Sequence, residues 1–298
     1  MRTTFIMLFV AVGAAGLAHA ESRSFDKTVE ADPKGTVEIS NVSGRIDVTG
    51  YDGKEVIVHG NLGEGVDRVD VDSSHGITTI KVIIPSHTFH SASADLRIRV
   101  PRDSDLEVSG VSADVSETDV QGGLQLKTVS GDIKADIFKA SSEIKTVSGD
   151  IVLRGRSDGA QLHVTSISGS IRLDHGSADI EGSTVSGDMH MRVDATHGVR
   201  VRTTSGEVRF EGKLTRGGTI EAESVSGDVN LRAAPDGGYE YELSSFSGDI
   251  TNCMGQNAER VSKYGPGKRL NGTEGQASDG TRIRVKTMSG DVELCDKN

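Results

Sequence analysis

Thr128-Val129-Ser130-Gly131-Asp132-Ile133 recurs without change at Thr146–Ile151. Variants of the same six residues follow at Ser166–Ile171, Thr184–Met189, Thr203–Val208, Ser224–Val229, Ser245–Ile250 and Thr287–Val292. The tag glycines are Gly131, Gly149, Gly169, Gly187, Gly206, Gly227, Gly248 and Gly290, spaced 18, 20, 18, 19, 21, 21 and then 42 residues apart. A motif returning at such an interval marks a solenoid, in which each repeat is one supersecondary unit that buries its apolar side only against its neighbours.

Alignment on the glycine exposes two apolar columns on each side of it. Seven and five residues before it lie Leu124/Leu126, Leu162/Val164, Val199/Val201, Ile220/Ala222, Tyr241/Leu243 and Ile283/Val285. Two and four residues after it lie Ile133/Ala135, Ile151/Leu153, Ile171/Leu173, Met189/Met191, Val208/Phe210 and Val229/Leu231. Both halves alternate with period two, so each repeat holds two short strands with one face buried. The parity changes between the halves, which requires a bend at the Ser-Gly step. The pattern predicts an all-β chain, a single-chain right-handed parallel β-helix (β-solenoid) with ~18–21-residue coils ~4.8 Å apart. The hand follows from the strong right-handed preference of parallel crossovers. Val111-Ser112-Ala113-Asp114-Val115 is an earlier copy with Ala in the glycine slot. A positive φ there would make Ala costly, so close packing is the stronger reason for the glycine.

Five residues after the glycine stand Asp136, Arg154, Asp174, Arg192, Glu211 and Arg232, alternating acid and base. Opposite charges stacked coil on coil gain ~0.2–1 kcal/mol each, whereas like charges repel. Cys253 and Cys295 occupy the same offset from Gly248 and Gly290. On adjacent coils their spacing falls in the range disulfides accept, so the two are expected to be linked. Asn252–Gly280, rich in Gly, Asn, Lys and Ser, is read as one inserted loop (about 254–281) rather than a hidden coil. The regular solenoid then spans 109–298, and residues 21–108, with strand signals but no regular repeat, form irregular first coils and an N-terminal cap.

The N-terminus reads as a secretory signal peptide over residues 1–20: Arg2, an apolar run Phe5–Leu17, and Ala18-His19-Ala20 as a small-x-small cleavage site. The expected location is therefore outside the cytoplasm, in the periplasm or on the outer cell surface. The apolar run is shorter than the ~20 residues a span needs, and no second one follows, so no membrane span is expected in the mature chain. Without Arg2, 32 Lys and Arg oppose 44 Asp and Glu, a net charge of −12. That balance argues against nucleic acid and anionic membranes as partners. Trp is absent and aromatics are 4%, which suits a narrow core of Val, Ile and Leu.

Asp114, Asp132, Asp150, Asp188, Glu207, Asp228, Asp249 and Asp291, each following a tag glycine or Ala113, form an acidic column broken by Ser170. Such a column could hold Ca²⁺, with oxygen ligands repeating every coil. The reading preferred here is that the acids bond backbone N–H groups in a tight bend, and that no cofactor is required. His87 and His90 form an isolated His-x-x-His, and the remaining histidines fall in different columns. Nucleophile elbow, phosphate loop and zinc signatures are absent. Lys134, Arg172, His190 and Arg209, three residues after successive tags, make a basic stripe broken by Val152 and are the candidate binding residues.

With its Thr-Val-Ser-Gly-Asp-Ile repeats from 128–133 to 287–292, and Leu96-Arg97-Ile98-Arg99-Val100-Pro101 followed by Leu106–Val108 upstream, the chain resembles the bacterial putative-adhesin family. That family comprises exported β-solenoid proteins built on a domain of unknown function. The resemblance implies adhesion, and it brings no catalytic or binding residues with it. Two functions are expected from different classes. The first is a non-enzymatic exported scaffold or binding module of the cell envelope, whose partner is an envelope protein or a surface glycan. The alternative is a polysaccharide-active lyase or hydrolase on a β-helix face, an analogy of fold alone. With no Trp and Tyr only at 51, 239, 241 and 264, the chain lacks the aromatic platforms that sugar sites use.

Overall fold

The computed structural model describes residues 23–85, 92–263, 265–276 and 280–296. The expected signal peptide and the His87/His90 pair lie outside them. The described residues form 23 strands joined in one sheet, with no helix. Most pairings are parallel and link equivalent positions of successive tags: Ile151 pairs with Ile133 on one side and Ile171 on the other, and Leu162 lies between Ser142 and Ile180. The chain is a β-solenoid with two stacked faces, one formed by the residues before each tag and one by the residues after it.

Alternation produces the core directly. In Asp105–Thr118, Leu106, Val108, Ala113 and Val115 are buried while Asp105, Glu107, Ser109 and Asp114 are exposed. The same holds through the stack to Val292 and Leu294, and Phe210 is the largest side chain fully enclosed. Val, Ile and Leu supply most of these buried positions and pack ladder against ladder, with Phe210, Tyr239 and Tyr241 as the buried aromatic rings among the described residues.

The tag itself is a corner in which each residue has a separate task. The Thr or Ser side chain turns inward, and its hydroxyl accepts the N–H of the tag glycine, as in Thr128–Gly131 (3.1 Å), Ser166–Gly169 (2.8 Å) and Thr287–Gly290 (3.0 Å). The Ser at the third position donates its N–H to the carbonyl of the preceding coil's second residue, as Ser148 does to Val129 (2.9 Å). A Cβ on Gly149 or Gly169 would overlap the carbonyl oxygen of the tag glycine one coil below. These glycines do not have positive φ, so contact rather than handedness fixes them. Ala113 is tolerated because the residue it pairs with, Gly44, has φ +108° and departs from the shared corner geometry.

Coil order at both ends differs from chain order. Thr36–Tyr51, first in the chain among the coils, has Ile77–Ile83 and Ala94–Pro101 on one side and Asp105–Thr118 on the other: Arg45 pairs with Asp95 on the first side and Asp114 on the second. At the far end, Arg282–Thr287 inserts between Val208–Ser224 and Tyr239–Ser245, and Val292–Asp296 inserts between Val229–Pro235 and Ile250–Asn252. The last coil in sequence is therefore the penultimate coil in space. A physical reason is visible in the outward side chains. Chain order would stack Glu221 on Glu242 and Asp95 on Asp114; insertion places Arg284 and Arg45 between those acids.

The reading of 254–281 as a loop needs correction. It contains the strands Glu259–Arg260 and Lys268–Glu274, and the second pairs antiparallel with Tyr239–Ser245 along its whole length. This hairpin covers the edge that the outermost coil would expose, and the short strand Ile250–Asn252 ends the other face. At the opposite end Arg68–Ser74 pairs antiparallel with Ile77–Ile83, while Arg23–Glu30 and Glu55–Leu62 close the second face. Reversed strands, short edges and hairpins at both ends block further strand addition.

Candidate binding surfaces

The residues predicted from sequence fall as follows. Cys253 and Cys295 are joined, Cα atoms 4.9 Å apart, and the bond ties the inserted coil to the outermost one. Beside it, Tyr239 donates its hydroxyl to Asp296 (2.6 Å) and the Asn252 amide donates to the Tyr241 hydroxyl (3.1 Å), so the core's end is sealed by satisfied polar groups. Burial, followed by the Asp296 carboxylate, drives the Tyr239 hydroxyl far above its ordinary pKa.

The alternating column is assembled in the register read from sequence. Arg154 lies between Asp136 and Asp174, and Arg192 between Asp174 and Glu211. Arg192 approaches Asp174 at 3.8 Å and Glu211 at 3.4 Å, whereas the Asp136 carboxylate takes Arg156 at 2.9 Å.

Lys134, Val152, Arg172, His190 and Arg209 do form one column, with Asn230 next. The guanidinium groups in it are not free cations. Arg172 donates to Asp174 at 2.6 Å and Arg209 to Glu207 at 2.6 Å, each acid two residues away along the chain. Arg172 holds the Asp174 carboxyl below the usual carboxylate range. The column joins equivalent positions of successive coils, whereas these ties join residues two apart on one coil, which an extended chain places on the same face.

The acidic corner column is built into the backbone. Asp114 accepts the N–H of Asp132 (3.1 Å), Asp132 that of Asp150 (2.9 Å), Asp150 that of Ser170 (2.8 Å) and Asp188 that of Glu207 (2.9 Å). The chain of bonds continues from Asp228 to Asp291 and from Asp291 to Asp249, following spatial order. Among the described residues, the one cluster with ligand atoms close enough for a metal is Cys253, Glu293 and Cys295, whose thiols are consumed in the disulfide.

The face before the tags carries features that sequence reading missed. A shallow groove of about 380 Å³ runs over Gln161, His163, Asp179, Glu181, Arg200 and Glu221. Glu181, Arg200 and Glu221 in it begin an alternating ladder that continues beyond the groove through Arg284 to Glu242, with Arg200 bonded to Glu221 (3.0 Å) and Arg284 to Glu242 (3.2 Å). The signal was present in the sequence, but the ladder alternates only when coils are taken in spatial order.

One buried acid was also missed. Glu117 turns inward and accepts N–H groups from Val120 (2.8 Å) and Asp136 (3.0 Å). Burial pushes its carboxyl up to about 8, the two N–H donors opposing that shift. It serves the return bend, where Asp119 takes φ +61°.

These elements define the molecule as a capped β-solenoid with charge-laddered faces. The Toastrack DUF4097 profile matches residues 21–211 and 183–295, and the chain belongs to that family. No curated protein matches the chain significantly. Among solved structures, a "putative adhesin" from Parabacteroides merdae ATCC 43184 is 13% identical, with 91% of this chain and 96% of that one covered and a TM-score of 0.55. A "putative adhesin" from Parabacteroides distasonis ATCC 8503 is 11% identical over 92% and 98% of the two chains, TM-score 0.52. At such identities the likeness is one of fold.

Proposed function

We propose that the protein is a non-enzymatic binding scaffold, exported through residues 1–20 to the periplasm or cell surface, where it engages an envelope protein or a surface glycan. The observation that carries this reading is the organisation of the faces. Charged side chains are paired coil by coil into regular ladders, and the corner acids are occupied by backbone N–H groups. Catalysis needs a few groups with shifted pKa values converging on one reacting atom, and the most strongly shifted acid, Glu117, is enclosed in a bend. Adhesin descriptions attached to proteins of the same fold agree with a surface partner. Within this reading the coils are right-handed turns of ~18–21 residues, and the corner needs no Ca²⁺ because backbone N–H groups fill the role of the ion.

Two faces are available for the partner, the groove around His163 and Arg200 and the stripe containing Lys134. Capture from envelope extract and binding to a glycan array should be measured for the protein, for Lys134→Ser/Arg172→Ser/Arg209→Ser and for His163→Ala/Arg200→Ala. One variant should lose capture while its circular dichroism is unchanged. Turnover of a polysaccharide that a single acid-to-amide change abolishes would overturn the scaffold reading.

A further inference from the structure

The second residue of every tag points out of the corner, although in nearly every coil it is apolar. From Val42 through Val129, Val147 and Ile167 to Val225, Met288 and Phe246 these side chains are 37–60% exposed, and Thr204 alone interrupts them. They stack directly, because each carbonyl accepts the N–H of the tag Ser in the next coil: Val111 from Ser130 (2.8 Å), Val147 from Ser168 (2.8 Å), Val225 from Ser289 (2.9 Å) and Met288 from Ser247 (3.0 Å). A lone exposed Val needs no explanation, but a rigid apolar ridge along the whole stack does, since patches of a few hundred Å² mark interaction sites. Core packing does not use these side chains, and the corner geometry would accept any polar residue there.

We infer that this ridge is the contact of a homodimer in which two copies pack corner to corner with their solenoid axes parallel. The occupant is identified first by spacing. Coils repeat at ~4.8 Å, whereas a helix repeats at ~5.4 Å and a strand presents same-side residues every ~6.6–6.8 Å. A second copy of the ridge matches it over its entire length. Ten coils give a ridge about 43 Å long, and with the flanking columns that approaches the ~800 Å² per partner of a stable interface.

Charge then selects the orientation. On one side of the ridge runs the acidic column, on the other the outward column containing Lys127, Lys145, Arg202 and Lys286. A two-fold axis parallel to the stack sets each column against the opposite column of the other copy, coil for coil. Lys127 then meets Asp132, Lys145 meets Asp150, Arg202 meets Glu207 and Lys286 meets Asp291. Glu223 with Asp228 is the one like-charged match, and Glu223 is already bonded to Arg202 (3.1 Å). An antiparallel arrangement would oppose one acidic column to the other. Rim pairs of this kind set orientation more than affinity.

Sedimentation velocity over a concentration series should give a doubled mass for the protein and a monomer, at least tenfold weaker in self-association, for Val147→Asp/Val185→Asp with unchanged circular dichroism. The parallel axis is read by single cysteines. Val129→Cys, Val147→Cys and Val225→Cys should each form an interchain disulfide with its own copy, and Val152→Cys on the adjoining face should not. Protein that stays monomeric at every concentration overturns the proposal. So does Val147→Cys that links only to Thr204→Cys, which is the antiparallel pairing, or a monomer whose ridge instead carries it onto neutral lipid vesicles in flotation. None of these results bears on whether the faces bind an envelope partner.

Discussion

Insertion of the last coil is testable through its charges. Arg284 sits opposite both Glu221 and Glu242, 3.2 Å from the latter, with side chains about half exposed. Exposed cross-strand pairs contribute ~0.2–1 kcal/mol each, and like charges cost a similar amount. Arg284→Glu removes two attractions and creates two repulsions, for a total of about 1–4 kcal/mol. A double-mutant cycle between positions 221 and 284 isolates one contact and should return about 0.3–1 kcal/mol of coupling. The assay is urea unfolding of the four proteins at low salt and again at about 1 M, where the screening length falls to ~3 Å and the coupling should largely vanish. Glu221→Arg combined with Arg284→Glu should restore most of that one contact. If coils followed chain order, Arg284 would touch Glu242 and not Glu221. Coupling to Glu242 with none to Glu221 would refute the insertion.

Two further outcomes follow from the ends and from the buried acid. Cys253→Ser/Cys295→Ser opens a 42-residue separation and should cost about 4 kcal/mol by the chain-entropy model, and protection of the Val292–Asp296 amides in hydrogen exchange should fall first; unchanged protection there would refute the role of the bond in holding the inserted coil. Glu117 keeps its proton in the folded state up to about pH 8 while the unfolded chain releases it near 4.5, so its contribution is full below pH 4.5 and is lost as pH rises through 8, by up to about 5 kcal/mol. Glu117→Gln should therefore narrow the difference between urea midpoints at pH 5 and pH 9, less stable than the parent at the lower pH because one N–H loses its acceptor; parallel pH profiles would count against the raised value.

Much of the fold was legible in the chain. The tag gave the corner, the parity change at the Ser-Gly step gave two faces, and Ala113 showed that contact rather than a positive φ fixes the glycine. The alternation from Asp136 to Arg192 gave the register, and the equal offsets of Cys253 and Cys295 gave the disulfide. These are local or nearest-neighbour properties, and a repeat writes them into every coil. The ridge was equally visible as the Val of Thr-Val-Ser-Gly-Asp, but an apolar residue in a motif reads as core until its direction is known.

The order of the coils was not legible, because backbone ladders carry no address. Thr287–Val292 offers the same N–H and C=O groups to Ser224–Val229 as Ser245–Ile250 does, so hydrogen bonding leaves both neighbours equally acceptable. What separates them lies in side chains far apart in sequence: Arg284 relieving Glu221 against Glu242, Arg45 relieving Asp95 against Asp114, and Lys268–Glu274 turning back to cover Tyr239–Ser245. The same limit hid the groove ladder, whose alternation depends on that order. The sequence by itself determined what one coil is and how it stacks on another. Only the tertiary structure decided which coil lies on which, since that choice rests on small electrostatic differences summed across coils that the chain does not place side by side.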